Sequence, residues 1–526
     1  MIIDGKQLPA GSLIEADLCI VGAGPAGITL ALQYAQKTGT KVALLESGGL
    51  EFDAETQELA HSDVVGQEYF PMKETRLRVF GGSTLSWGGI GGAFSPLDFE
   101  ERSWVPNSGW PFTKKDIAHY YEEAMGVSLM DPDTVDKDPD DAPPAEGTRW
   151  ANVLFSAPTR FGKVYRNEME KSASVTVYLN STVTQLDLHP DGGHIEALQI
   201  GCIGGNSYRV QAGNYVLAGG GIENARMLMV SNDVASRGIG NEHDLVGRYF
   251  QEHPRLHDRY RLPKGTAALR RRIQGAAGTL RFSRVVLTDE VQKKEKLLNY
   301  FANLSFGYLA QDAPQFDAVR RIVNASRSPW SDSPYYQDIG GGPNRVRWQD
   351  VKTVLKRPDQ AFIGAFGAQF QPTITRRWLE IQSSVEQLPR PENRLVLVDE
   401  RDGLGVPRVR VEWTMHPDEE RTYRRGLEIV LTEMERLEPG ISKNRIDDPD
   451  PWPHDALGTW HHIGTTRMHQ DPTQGVVDAD CRVHGVDNLY LAGSSIFPTG
   501  GVTAPTLTIV ALSLRLHDHL KARASV

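Results

Sequence analysis

Two adjacent histidines, His461 and His462, stand in the run WHHIGTTRM, Trp460 to Met468. Imidazole exchanges a proton near neutral pH, so a histidine held in a site is the first candidate for a general base. A second run, NLYLAGSSIFPTGGVTAPTLTIVALSLRL from Asn488 to Leu516, follows in the same C-terminal stretch. It predicts a short strand over Asn488 to Ala492 and a helix from Pro505 through Leu520, because Leu507, Val510, Ala511 and Leu514 fall on one helical face.

The elements that could bring a reaction partner to these histidines begin near the other terminus. Leu18 to Val21 read as a buried parallel strand, and the next residues spell GxGxxG with Gly22, Gly24 and Gly27. The first glycine permits a tight turn, the second lets a pyrophosphate approach the backbone, and the third lets helix pack on strand. Pro25 and Ala26 open the helix, whose free N–H groups favour a phosphate. A second strand, Lys41 to Leu45, ends at Glu46, nineteen residues past Gly27, where a carboxylate reaches ribose hydroxyls, with Ser47 beside it. The order predicts a dinucleotide site without separating FAD from NAD. Thr75 to Gly92, TRLRVFGGSTLSWGGIGG, is too glycine-rich for a helix and suits a backbone pressed against a planar ring.

Composition bounds the remaining choices. A chain of 526 residues, 40% of them hydrophobic, can fill two large cores. A net charge of −10 without concentrated Lys and Arg argues against nucleic acid and anionic membranes as partners. Cys19, Cys202 and Cys481 are too separated for a CxxC site and odd in number, so they read as buried reduced thiols, and no metal site is expected. The N-terminus lacks a signal-peptide pattern and no segment has the roughly twenty apolar residues that cross a bilayer, which makes the cytoplasm the expected location.

Five ordered landmarks carry a family resemblance: VGAGPAG, GGSTLSWGG (Gly81 to Gly89), VGRYFQEHP (Val246 to Pro254), VEQLPRPENRLVLV (Val385 to Val398) and the C-terminal block, with YVLAGGGIENARML (Tyr215 to Leu228) in support. Together they resemble the glucose–methanol–choline (GMC) oxidoreductases, in the branch of pyranose oxidases, glycoside 3-oxidases and sugar dehydrogenase flavin subunits. The resemblance implies an α/β fold with a Rossmann-like FAD-binding domain assembled from discontinuous segments, plus an α+β substrate domain built on an antiparallel sheet. It implies FAD contacts from Gly22, Gly24, Pro25, Ala26, Gly27, Glu46 and Ser47, from Gly81, Gly82, Ser83, Ser86, Trp87, Gly88 and Gly89, and from Val183, Gly219, Gly493, Ser494 and Thr506. The family's catalytic base, seven residues before the methionine of its HxxGTxxM-like motif, corresponds to His461, with His462 as the neighbouring candidate. Two positions depart from the pattern. Ser86 stands where pyranose oxidases attach FAD through a histidine, which implies noncovalent FAD. Ala504 stands where the family places a second catalytic Asn or His, and Thr503 or a group from another loop is the expected substitute.

The implied division is a FAD domain over 1–254, a substrate domain over 255–455 and a return to the FAD domain over 456–526. The acidic, proline-rich stretch from Met130 to Gly147 reads as an exposed loop. VTVYLNSTVTQL, Val175 to Leu186, reads as one strand, LRFSRVVL and RVRVEW as strands of the substrate domain, and Gln311 to Gln349 as an irregular insertion suited to a lid or an oligomer contact, with Tyr335, Tyr336 and Trp348 as stacking candidates. The expected activity is oxidation of a secondary hydroxyl of a sugar or glycoside to a keto-sugar, with O2 or an electron carrier reoxidising the flavin. The alternatives are a polyol or aldonic acid dehydrogenase, or a non-redox enzyme like the FAD-containing hydroxynitrile lyases.

Overall fold

The computed structural model describes all residues except 36–38, 131–145, 153, 157–158, 264–268, 270–271, 274–282, 328–345, 371–375, 447–449 and 525–526. The larger sheet is mostly parallel, with an antiparallel edge. Its parallel part runs Ile2–Asp4, Val175–Leu179, Val42–Leu45, Leu13–Val21, Ser207–Leu217, and the antiparallel part continues through Ile195–Gly201 to Thr182–Leu188. Leu489–Leu491 lies parallel to the end of Ser207–Leu217, so the C-terminal segment rejoins the sheet formed by the N-terminal one. Apolar runs make this possible: Cys19, Ile20 and all of Val42–Leu45 are buried, as parallel strands covered on both faces must be. The helices Pro25–Ala35 and Thr506–Ala524 cover the sheet, joined by the edge-to-face pair Tyr34 and His517 at 4.8 Å. Leu507, Val510, Ala511 and Leu514 all face this core. Cys19, Cys202 and Cys481 are buried free thiols.

The second sheet is antiparallel throughout, in the order Arg255–Arg261, Arg376–Val385, Tyr300–Tyr308, Ser283–Leu287, Thr148–Asn152. One face carries Leu256, Tyr260, Leu379, Ile381, Tyr300, Ala302 and Leu304 into a second core, closed by the helix Pro417–Leu437 through Tyr423, Val430 and Met434. The alternate residues of the same strands point the other way and are largely polar, the half-buried alternation an antiparallel sheet allows.

Several elements differ from the sequence expectation. Val175 to Leu186 is not one strand, because Asn180 adopts φ +54° and splits the run into two strands that lie far apart in the sheet's order. RVRVEW does not join the antiparallel sheet: Pro407–Trp413 pairs with Arg394–Arg401 and, in parallel, with Asp63–Gly66, and Val409, Val411 and Trp413 pack into the larger core. Conversely, Thr148–Asn152 leaves the N-terminal segment to complete the second sheet. The chain therefore exchanges strands between the two cores more often than a three-part division suggests. Within the stretch expected to be irregular, Pro314–Arg327 is an amphipathic helix, and Trp348–Lys356 and Pro358–Phe370 follow. Trp348 is exposed on its helix, away from the cavity lining described below, while Tyr335 and Tyr336, like most of the acidic loop, lie outside the described residues.

Candidate active site

One cavity of about 830 Å³ joins the two sheets. One part of its lining is formed by Gly22, Gly24, Pro25, Glu46, Ser47, Val183 and Gly219, another by His461, His462, Ser494, Ala504, Pro505 and Thr506, with Gly82, Ser83, Ser86, Trp87 and Gly88 also in the lining. The dinucleotide part is shaped by backbone. A Cβ on Gly27 would sit 1.9 Å from the Gly22 carbonyl oxygen, so only glycine lets helix Pro25–Ala35 approach its strand. A Cβ on Gly24 would meet nothing within 4 Å, leaving its backbone open to a ligand. Glu46 accepts from the Ala23 and Gly48 amides at 2.9 Å each, which fixes its buried carboxylate at the cavity wall, where burial raises its pKa. An open glycine turn, a helix N-terminus and a fixed carboxylate fit the pyrophosphate and ribose of FAD, with Val183 and Met227 as apolar lining for a base.

The other glycines and small residues of the sequence reading act behind this lining. Ala26 is buried in its helix, and Gly81 at φ +102° packs on the Gly162 backbone. Gly89 accepts from the Ser156 amide through its carbonyl, and Gly493 begins the turn Ser494–Ile496. Ser86 Oγ donates to the Ser83 carbonyl at 3.3 Å. Thr503 is not among the lining residues: its hydroxyl side faces Gly92, whose Cβ would come within 2.2 Å of Oγ1. The structure thus brings Ala504 to the cavity and leaves Thr503 aside.

The histidine corner is assembled from four separated segments. Glu252, fully buried, accepts from the Thr459 amide at 2.9 Å, the His253 amide at 3.1 Å, the Thr459 hydroxyl at 3.2 Å and the Tyr69 hydroxyl. Around this carboxylate, His462 Nε2 lies 3.2 Å from the Tyr69 oxygen, while His461 Nδ1 lies 3.1 Å from Thr459 Oγ1 and 2.9 Å from His253 Nδ1. His253 Nε2 is 3.2 Å from the Gly500 carbonyl, in the glycine loop before Ala504. Burial lowers the pKa of all three imidazoles: His253 to about 4, His462 to about 3, and His461 well below its ordinary value, with the His253, Arg255 and His462 charges adding to the effect at His461. They are neutral around pH 7. Tyr69, Glu252, His253 and Thr459 escaped the sequence reading. QEHP was quoted as a landmark without a role for its side chains, and Tyr69 carries no local signal.

The polar face of the second sheet forms the remaining wall. Its rows follow the strand register: Arg255, Ser384 and Phe301; then His257, Gln382 and Asn303; then Glu380 and Ser305. Glu380 Oε1 lies 3.2 Å from His257 Nδ1, the Gln382 amide nitrogen lies 3.2 Å from His257 Nε2, and Asn303 donates to Gln382 Oε1 at 3.1 Å. Arg284, stacked 4.4 Å over Phe301, completes the wall.

Residues 389–513 match the family model described as GMC oxidoreductase, and that span contains the histidine run and the strand and helix start that flank the cavity. This C-terminal part of the chain is thus similar to the GMC oxidoreductases. The 2-methyl-1,2-propanediol dehydrogenase of Mycolicibacterium austroafricanum is 23% identical over 97% of this chain and 96% of its own. A C-glycoside 3-oxidase of Arthrobacter globiformis is 34% identical over a shorter region, 22% of this chain and 21% of its own. Crystalline formate oxidase shares the fold, with a TM-score of 0.58 and 16% identity over 98% of this chain and 99% of its own.

Proposed function

We propose that the protein oxidises a hydroxyl of a sugar or glycoside, a secondary one, to a carbonyl, with His461 as the base. The observation that carries this reading is a single cavity in which a dinucleotide cradle, a neutral imidazole and a wall of hydrogen-bonding side chains meet. The Gly22 to Gly27 turn, Glu46 and the loop Gly82 to Gly88 would hold FAD, which would supply the hydride acceptor. His461 Nε2, which has no protein partner among the described residues, takes the hydroxyl proton. His462 is the weaker candidate because its Nε2 is already engaged with Tyr69. Arg255, on the same wall and close enough for its charge to act on His461, stabilises the developing alkoxide in place of the side chain missing at Ala504. Asn303, His257, Gln382 and Glu380 offer donors and acceptors in a row that suits several hydroxyls of one ring.

The relationship to a diol dehydrogenase over nearly the whole chain favours a second reading, a smaller polyol or diol as substrate. Ser86, whose hydroxyl can form no histidyl–flavin bond, supports noncovalent FAD, and acid precipitation should then release all the flavin. Anaerobic mixing of the yellow protein with O- and C-glycosides, free sugars, polyols, diols and aldonic acids separates the readings. Bleaching by glycosides supports the first, and bleaching by diols alone replaces it with the second. No bleaching in protein that dithionite still reduces would overturn both.

A further inference from the structure

We propose that His253 is a positioning residue that fixes which ring nitrogen of His461 carries the proton, leaving Nε2 bare toward the cavity. This rests on His461 being the base, and it follows from donor and acceptor chemistry along one chain of contacts. The Gly500 carbonyl can only accept, so the ring nitrogen 3.2 Å from it, His253 Nε2, must be the protonated one. His253 is a neutral imidazole, so its Nδ1 is then an acceptor. Its neighbour at 2.9 Å, His461 Nδ1, must therefore donate. The Thr459 hydroxyl agrees: its proton goes to Glu252 Oε2, which leaves an oxygen lone pair 3.1 Å from the same His461 Nδ1–H. Two acceptors thus converge on Nδ1–H, and none of the described protein groups donates to Nε2.

The opposite tautomer would set the bare Nε2 of His253 against the Gly500 oxygen, two lone pairs at hydrogen-bond distance inside a buried site, where an unmade bond is most costly. The contact also explains a glycine. A Cβ on Gly500 would lie 3.2 Å from Ile463 Cδ1 and 3.3 Å from His253 Nε2, so a side chain there would press on the ring that sets the tautomer. In the reaction the substrate O–H bond breaks and an Nε2–H bond forms on His461, while the electron pair of the C–H bond leaves with the hydride. Nδ1–H keeps its two acceptors throughout, so the resulting imidazolium is held without any second proton moving.

The test compares His253→Leu, which fills the space without hydrogen bonds, with His253→Gln, whose amide can donate to Gly500 and whose oxygen can accept from His461. FAD content is measured in each. The leucine variant should bind FAD and show a substrate KM within about twofold, while flavin reduction at saturating substrate falls about 10- to 100-fold, the scale of a lost orienting partner. The glutamine variant should recover most of that rate. Leucine and glutamine falling alike, or neither falling, overturns the proposal. A direct readout needs no variant at position 253: 15N-histidine spectra of the wild-type holoenzyme, with the His461 signals assigned by their loss in His461→Ala, should show Nδ1 protonated and Nε2 bare. A protonated Nε2 overturns the proposal even if the leucine variant does not fold. His461→Ala with an undiminished reduction rate would instead remove the base reading and leave the tautomer measurement to stand by itself.

Discussion

The two parts of the cavity lining are built on opposite plans. The dinucleotide part is made of backbone from a short, contiguous stretch, with Gly22, Gly24 and Gly27 shaping a turn and one acid, Glu46, arriving at the end of the neighbouring strand. The substrate part is made of side chains contributed by distant segments: Tyr69, the pair Glu252 and His253, the run from Thr459 to His462, the Gly500 carbonyl, and alternate residues of three antiparallel strands. The first plan tolerates little variation in residue type because it depends on missing side chains. The second can change its specificity one side chain at a time while the scaffold stays intact.

The sharpest way to break this contrast is at the base. His461→Ala should lower the rate of flavin reduction by about 10²- to 10⁴-fold, the usual worth of a positioned general base, with FAD still bound. Stopped-flow reduction checks the rate, and an unchanged rate removes His461 from the chemistry. In the dinucleotide part, Gly27→Ala should act on assembly instead of turnover. Its Cβ has no room against the Gly22 carbonyl, so the helix must move, at a cost of several kcal/mol on the order of other severe core clashes. Loss of FAD from the purified variant is the expected readout, and full flavin occupancy would show that the turn has slack.

A wall substitution should be milder. Gln382→Leu removes the partner of both His257 and Asn303, and it should raise substrate KM by about tenfold, near one lost hydrogen bond, while kcat changes little. A matched fall in kcat would mean that the wall orients the reacting carbon as well as recognising the ring. The same buried imidazoles also set a pH dependence. Because the folded pKa values of His253, His461 and His462 lie below the ordinary histidine value of about 6.5, folding binds fewer protons there than the unfolded chain. Their contribution to stability is complete above pH 6.5 and is lost as pH falls through the folded values, each costing on the order of 1 kcal/mol per pH unit in that window. Denaturation midpoints measured from pH 7 down to pH 4 should decline accordingly. The acid limb of flavin reduction should likewise lie well below pH 6.5, lower than an unperturbed imidazole would give. An apparent pKa near 6.5 would mean that His461 is hydrated in solution.

The glycine turn, the return of the C-terminal strand and helix to the first sheet, and the histidine run are legible in the chain because each is encoded locally. Glycine spacing reports where a Cβ cannot fit, strand periodicity reports burial, and a helix face reports its own packing. The sequence also contained the alternation of Arg255, His257 and Arg259, of Glu380, Gln382 and Ser384, and of Phe301, Asn303 and Ser305. Alternation tells that a strand has two faces, but whether the polar face meets water or lines a cavity depends on what is packed over it. The break at Asn180 was partly legible, since asparagine tolerates left-handed backbone and is poor in strands, but the β-branched residues on either side outweigh it in a reading by strand propensity. Which histidine is tied off and which is left bare was decided by tertiary structure alone. Tyr69, Glu252, His253 and Gly500 are brought together only when the two sheets close on each other, and the donor or acceptor character of each ring nitrogen is set by those neighbours and not by its place in the chain.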